Sequence, residues 1–475
     1  MVRTIFKWGM MVLGCLIIVY GIWIGVAMSR TATISVDYVA AINEKAAAIP
    51  ESQQAWPLYR EAGIALRGAQ EPDGNLFSED DVEIPNWPTD VGWEHYQTWL
   101  DGHIETLETI LAGAVMRGSG FIISGGIAEE DRELWPDQYL SEQTEPADDG
   151  SFLNVLMPQL GHHRAMARLL MFDAKAAAYE GDAQRCKLNI EAAFSLALHA
   201  REHPLLISDL VSLSIVNLTL TTMSDIFSHE PFLFDTAMLA DFKHRLETLG
   251  ASLDVRFEGE RYLILDLLQR MYTDDGNGDG SLVPTGITAK MELLSSVSNT
   301  QSTSLLPAFA IPFSDIFQAS RKELLDEYDR RLAFIEAFKG TPIVELKQSV
   351  FPPQLHGPLG SPITGKYFLL ELLMPALDKT IIHLRYAKGH VGGILATIYA
   401  IEQYQSTGSW PTSLGGAGII DEWSGKSLLI VQGETHPVIY SVGSDQDDDG
   451  GVYHREARDW NSGVDGDWVI WPTSE

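Results

Sequence analysis

The chain has 475 residues, 45% hydrophobic and 21% charged, a composition that excludes a disordered polymer and suffices for one large or two to three ordinary domains. A formal net charge of -32 and a pI near 4.6 surround it with a negative field, which excludes nucleic acid as a partner and repels anionic lipid head groups. The same surplus of carboxylates suits a saline medium or divalent cations, and it also serves a well-solvated exterior.

Trp8 to Met28 is uncharged and strongly apolar, with the length a helix needs to cross a hydrocarbon core. Arg3 and Lys7 precede it, whereas Asp37 and Glu44 follow. The positive-inside rule then puts the amino terminus in the cytoplasm and the rest outside, periplasmic in a bacterium. The long apolar core makes residues 1–30 an uncleaved signal-anchor in the inner (cytoplasmic) membrane, with cleavage near Ala27 to Ser29 as the alternative. Cys15 follows a small residue, as a lipoprotein site would, but the apolar run continues past it to Met28, so it reads as a buried membrane thiol. Cys186 alone remains for the exported part, which therefore has no internal disulfide framework.

Residues 31–388 read as a helical body. Tyr38 to Gln70 is helical with interruptions at Pro50 and Pro57, and Glu71 to Trp93 is a surface loop that Trp87 and Trp93 can anchor. Helix resumes from about Glu94 to Arg117, and Ser119 to Gly150 is an irregular, acid-rich insertion. From Phe152 to about Leu249 apolar residues recur at three- and four-residue spacing, with Gly181-Asp182 between two periodic segments. Ala174 to Ala200 reads as a helical hairpin that resembles one tetratricopeptide unit; no second copy follows at a fixed period, which favours a non-repetitive bundle. Helix continues over Leu253 to Tyr272 and returns at Ala319 to Lys339. Between them, Leu305 to Phe317 is an apolar, Pro-containing stretch expected to pack over the bundle, with the membrane surface as the other reading. A Pro-rich crossing at Pro352, Pro353, Pro358 and Pro362 leads to a last long helix, Leu369 to Ser406.

Residues 389–475 change character. A helix ending in Ile398-Tyr-Ala-Ile-Glu-Gln-Tyr404 is followed by Gly408-Ser-Trp-Pro, by Asp421-Glu-Trp-Ser-Gly425, by strands around Leu428 to Val431 and Val438 to Val442, and by an acidic loop. This order resembles the head of the major pseudopilin of type II secretion, a helix on a small antiparallel sheet with a calcium loop. The resemblance covers the last ninety residues or so. A pseudopilin leads directly from its membrane helix to its head and starts after a prepilin cleavage site; this chain has neither feature. What the resemblance implies is therefore the small α+β fold and its calcium, not filament assembly. The organisation as a whole resembles large membrane-anchored families of planctomycete-type bacteria.

The residues argue for calcium by themselves. Asp445, Asp447 and Asp449 alternate, Gly450 permits a sharp turn, and Glu456 stands at the twelfth position, completing D-x-D-x-D-G-x5-E. An EF-hand needs flanking helices, whereas Val438 to Val442 reads as strand, so backbone carbonyls and Asp459 or Asp465 are alternative ligands. An exposed acidic hairpin turn is the competing account. Asp275, Asn277 and Asp279 repeat the alternation before Gly280, but the twelfth position is Gly286, so a site there lacks its bidentate acid and competes with a flexible Asp-Gly turn.

Other chemistry is weaker. His199 and His203 are spaced to share a helix face for zinc, without an acidic partner or an H-E-x-x-H motif. No G-x-S-x-G, P-loop or dinucleotide fingerprint occurs, and Trp410, Trp423, Trp460, Trp468 and Trp471 read as core rather than a sugar platform. The expectation is a mainly α, membrane-anchored envelope protein of structural or interaction type. It has a helical bundle, an α+β head stabilised by calcium, and an envelope partner, with association to a secretion apparatus as one setting. The alternative is an envelope hydrolase whose pocket lies between helices and uses His162 or His163.

Overall fold

The computed structural model describes residues 18–26, 28–67, 85–142, 150–283, 318–341, 343, 345, 366–367, 370, 377–454, 456–459 and 463–473. Most of the apolar amino-terminal segment, the stretch 305–317, the Pro-rich crossing and Trp460 lie outside these residues. Residues 18–26 are helical, and Ile18, Val19, Ile22 and Val26 on them are exposed.

The first layer is built from short helices. α1 (Tyr38–Ala47) starts on Asp37, whose carboxylate accepts the Ala40 amide. Pro50 ends the helical stretch, a 3-10 turn follows at Glu51–Gln53, and α2 (Trp56–Arg67) carries Pro57 in its first turn, where a missing N–H costs nothing. The helix expected from Glu94 to Arg117 is two, α3 (Trp93–Asp101) and α4 (Ile104–Ala114). Apolar spacing continues across the break, but the chain leaves the helix at Gly102 and the His103 ring turns back to the Trp99 carbonyl at 2.7 Å. α5 (Pro136–Glu142) lies in the acid-rich insertion.

The second layer is the periodic region. α6 (Gln159–Tyr179) and α7 (Ala183–Ala200) form the expected hairpin. Its reversal is closed by the Asp182 amide on the Ala177 carbonyl at 2.8 Å, and the Asp182 carboxylate caps α7 through the Arg185 amide. α8 (Leu206–His229) then runs through the centre, packed on α6, α7 and the later long helix. By length and a mean hydropathy of 1.5 it is the one helix among the described residues that passes as a membrane span, yet 61% of that window is buried inside the protein. Its polar groups explain the difference. Asp209 is buried against Arg201 and Arg256, and Asp225 against Lys175 at 2.7 Å, so both acids are satisfied by the protein's own cations. Fully buried Val216, Leu220, Ile226 and Phe227 each contribute about 1.5–3 kcal/mol relative to exposure.

α9 (Thr236–Ser252) and α10 (Glu258–Met271) complete the bundle, and α11 (Arg321–Ala337) opens with a capping box between Ser320 and Glu323. α12 (Leu377–Thr407) joins the two parts of the chain. One length of it packs on α8, α9 and α11; another carries the sheet. Residue 389 falls inside this helix, and one apolar core runs continuously from Ile42 to Trp471.

The sheet is antiparallel in the order β1 (Leu429–Val431), β2 (Val438–Ser441), β3 (Trp468–Trp471). Ile430 faces Ile439, and Tyr440 faces both Leu429 and Val469. β3 was not anticipated as a strand, although Trp468 and Trp471 are in the core as their type suggested. It comes close to α12 because Gly393 has no side chain: a Cβ there would lie 2.5 Å from Ile470.

Candidate metal centre

The acidic loop is made by what bounds it. β2 ends at Ser441, and the Ser444 amide then bonds the Ala457 carbonyl at 2.7 Å, closing the base of the loop. Gly450 and Gly451, at φ 72° and 84°, reverse the chain where a side chain would strain it. Val452 to His454 then run beside the segment leading into β3: the Asp467 amide donates to the Val452 carbonyl at 2.7 Å, and the His454 amide to the Asp467 carbonyl at 3.3 Å. This pairing returns residue 465 to the loop and carries residue 456 away.

The consequence is a convergence of four carboxylates. Asp445, Asp447, Asp449 and Asp465 each offer an oxygen, and these oxygens all lie within 4.8 Å of one another. Among the described residues this is the one such group of acids, histidines or cysteines. Glu456 is exposed and is not in it; Asp465, the alternative ligand, is. The loop itself holds the arrangement. The Gly466 amide donates to Asp445 Oδ2 at 3.2 Å, and Tyr440 donates to Asp448 at 3.0 Å. Gln446, between two of the acids, takes φ 71°, the only non-glycine among the described residues in that region.

Electrostatics sharpen the picture. None of the four carboxylates forms an ion pair among the described residues. Asp445 foremost, with desolvation and Asp465, raises the pKa of Asp447, and desolvation with Asp465, Asp447 and Asp445 raises that of Asp449. Beside them Asp467 is fully buried; its Oδ2 accepts the Gly451 amide at 2.7 Å, and burial pushes its carboxyl up to about 6. Asp449 Oδ2 and Asp467 Oδ1 are buried with no hydrogen-bond partner among the described residues. An all-oxygen set with inaccessible, unpaired oxygens fits a hard cation. Ligands about 2.3–2.6 Å from a calcium ion stand no more than about 5 Å apart, as these do. With no imidazole or thiolate in the set, zinc does not fit.

The loop containing Asp275, Asn277 and Asp279 uses its acids differently. Asp275 Oδ1 accepts the Asn277 and Asp279 amides at 2.8 and 3.1 Å. Asp279 Oδ1 accepts the Gly280 and Lys322 amides, and Asp274 pairs with Arg321 at 2.6 Å. The loop thus caps α11 with its own carboxylates.

The histidines are internal. α7 ends at Ala200, so His203 is not on the helix of His199. His199 bonds Tyr59 and the Met116 carbonyl, whereas His203 bonds Asn43, which separates the pair as zinc ligands. His163 is buried against Trp56 and Tyr59, and His162 lies beside Trp135. Trp423 and Trp471 are fully buried, and Trp410 stacks on Tyr404 at 4.3 Å. Asp467 was missed in the sequence; the Asp465-Gly-Asp467 repeat ahead of Trp468 was its signal. No family model, no curated protein and no solved structure matches this chain.

Proposed function

We propose that this is a membrane-anchored protein of structural or interaction type whose carboxy-terminal unit is braced by calcium. The observation that carries this reading is the convergence of Asp445, Asp447, Asp449 and Asp465, which pair with no cation of the protein among the described residues. A bound ion joins the loop after β2 to the start of β3, and β3 packs on α12 and α8. Thr473, two residues beyond β3, donates its amide to Ser228 on α8 at 2.9 Å. Calcium therefore acts on the seating of the sheet against the bundle, not on a reacting substrate.

The membrane part of the proposal is supported by the uncharged run Trp8 to Met28 and by the exposed apolar side chains on residues 18–26. The order of long helix, antiparallel strands and acidic loop supports a pseudopilin-like head, and a surface held by such a head suits an envelope partner. The hydrolase alternative has no support from His162 or His163, whose rings are packed against aromatic side chains.

The test is thermal unfolding of the full chain in detergent, with calcium and with chelator. At calcium about a hundredfold above its dissociation constant, stabilisation reaches about 2.7 kcal/mol. Asp447→Ala with Asp449→Ala removes it. A melting temperature indifferent to calcium, with no binding by calorimetry, rejects the brace.

A further inference from the structure

Four of the chain's 13 histidines gather at one internal seam. His162 and His163 stand on α6, His199 at the end of α7, and His203 just beyond it. Three of the four, His163, His199 and His203, are buried, and the first layer of helices faces them. Tyr59 on α2 meets His199 Nδ1 at 2.8 Å, and the Met116 carbonyl after α4 meets His199 Nε2 at 3.2 Å. Asn43 on α1 meets His203 Nε2 at 3.1 Å and also bonds the Ile123 backbone through both ends of its amide. These hydrogen bonds join the layer 38–123 to α7 and to the turn that follows it.

The partners of His199 and His163 favour neutral rings, whereas His203 has the Asn43 amide oxygen and the Phe121 backbone as acceptors. A carbonyl only accepts, so His199 Nε2 carries hydrogen and Nδ1 accepts the Tyr59 O–H. A proton on Nδ1 would point at that hydroxyl hydrogen, and Tyr59 is fully buried. His163 Nδ1 donates to its own helix at the Gln159 carbonyl, 2.8 Å away, while Nε2 is buried without a partner among the described residues. A second proton on His163 has no acceptor.

The charged groups around the rings do not help an imidazolium. Arg67 acts on His162 and Arg256 on His203, and the remaining charged neighbours of His163 are the other three histidines. Two carboxyls lie nearby. Asp131 is engaged by Trp56 and Arg60. Glu202 accepts the Gly120 amide at 2.8 Å, and burial raises it to about 7, so it is already neutral in acid. Desolvation lowers each of the four imidazoles to about 4.

We propose that this seam is an acid-operated release: proton uptake by His199 breaks its bond to Tyr59, proton uptake by His163 leaves a buried charge against Trp56 and Tyr59, and the first layer opens from the α6–α7 hairpin while α8 stays packed. The sign follows from the lowered values. The closed form is favoured above the free imidazole value of about 6.5 and loses that advantage as pH falls toward 4. Between about pH 7.5 and about pH 5, each imidazole that reaches solvent favours the open form by about thirtyfold. Glu202 pulls the other way, and one such acid offsets about one histidine.

Hydrogen exchange of the full chain in detergent, corrected for intrinsic rates, tests this. At about pH 5 the amides of α1, α2 and α4 exchange at least about thirtyfold faster than at about pH 7.5, while Leu206–His229 keeps its protection. Unchanged exchange in the layer, or equal loss in α8, overturns the proposal. His163→Gln with His199→Gln keeps a neutral donor and acceptor at each position and removes the share of the pH response that these two rings carry. Imidazole titration by NMR in the unsubstituted chain decides independently of that variant's folding. His163 and His199 gain their protons in the same pH window in which the layer opens; protonation without opening overturns the release.

Discussion

Two loops of this protein share the pattern of alternating acids followed by glycine, and they end in opposite electrostatic states. In the first, Asp274 and Asp279 have lowered pKa values, Asp274 chiefly through the Gly276 amide and Asp279 chiefly through Ser320 and the Lys322 amide. In the second, Asp447 and Asp449 are raised, because their neighbours are other carboxylates and buried surface. The first loop lies against the start of α11, distant in the sequence, which brings Arg321 and amide donors. The second runs between strands, and the chain returns with another carboxylate, Asp465. Spacing sets how many acids are near; the segment packed against them decides whether they meet donors or one another.

The sharpest way to break this comparison is to exchange the ligand that spacing predicts for the one that geometry supplies. Asp465→Ala removes one of four charged ligands, and calcium affinity by calorimetry falls at least about tenfold. Glu456→Ala leaves it within about twofold. The opposite ranking would mean that the loop closes as an EF-hand around its twelfth residue, and the strand-bounded geometry would be wrong.

A smaller effect is expected in the first loop. Asp279→Ala removes an acceptor from the first turn of α11, a loss of about 1 kcal/mol in chemical denaturation. The loss is the same with calcium and with chelator, because the carboxylates of this loop are committed to amides and to Arg321. A calcium-dependent loss would show that the two loops are alike after all.

How much of this was legible in the sequence depends on distance along the chain. Both loops were visible as acid patterns, and the α6–α7 hairpin was visible in Gly181-Asp182 between two periodic runs, because cap and turn lie within a few residues of each other. What separates the loops was not visible, since Arg321 and Lys322 reach Asp274 and Asp279 from 47 and 43 residues away. Asp465 stood only as one alternative to Glu456, because the return of the chain depends on the pairing of Val452 to His454 with Asp467. Four residues of β3 are too few to show a period, and two of them are tryptophans that any small core accepts. The break at Gly102 was hidden by apolar spacing that continues through it. His199 and His203 share a helical interval in the sequence, but α7 ends between them, and their partners lie on three other segments.

The smallest and most discriminating prediction concerns acid. A carboxyl whose pKa is lowered in the folded chain stabilises above its unfolded value of about 3.9 and loses that contribution as pH falls through the folded value. Protection of the amides in 274–281 is therefore flat from about pH 6 to about pH 4 and declines below. A carboxyl whose pKa is raised behaves in reverse: its contribution is full below the unfolded value and is lost as pH rises through the folded one. In chelator, protection of the amides in 443–452 therefore increases as pH is lowered from about 6 to about 4, when protons on Asp447, Asp449 and Asp467 relieve the repulsion within the cluster. With calcium the slope changes sign, because protons now compete with the ion for the same oxygens. Amide exchange followed in both loops of one sample, with and without calcium, reads all of these slopes together. Parallel slopes in the two loops would mean that the second cluster finds donors elsewhere and does not need a cation.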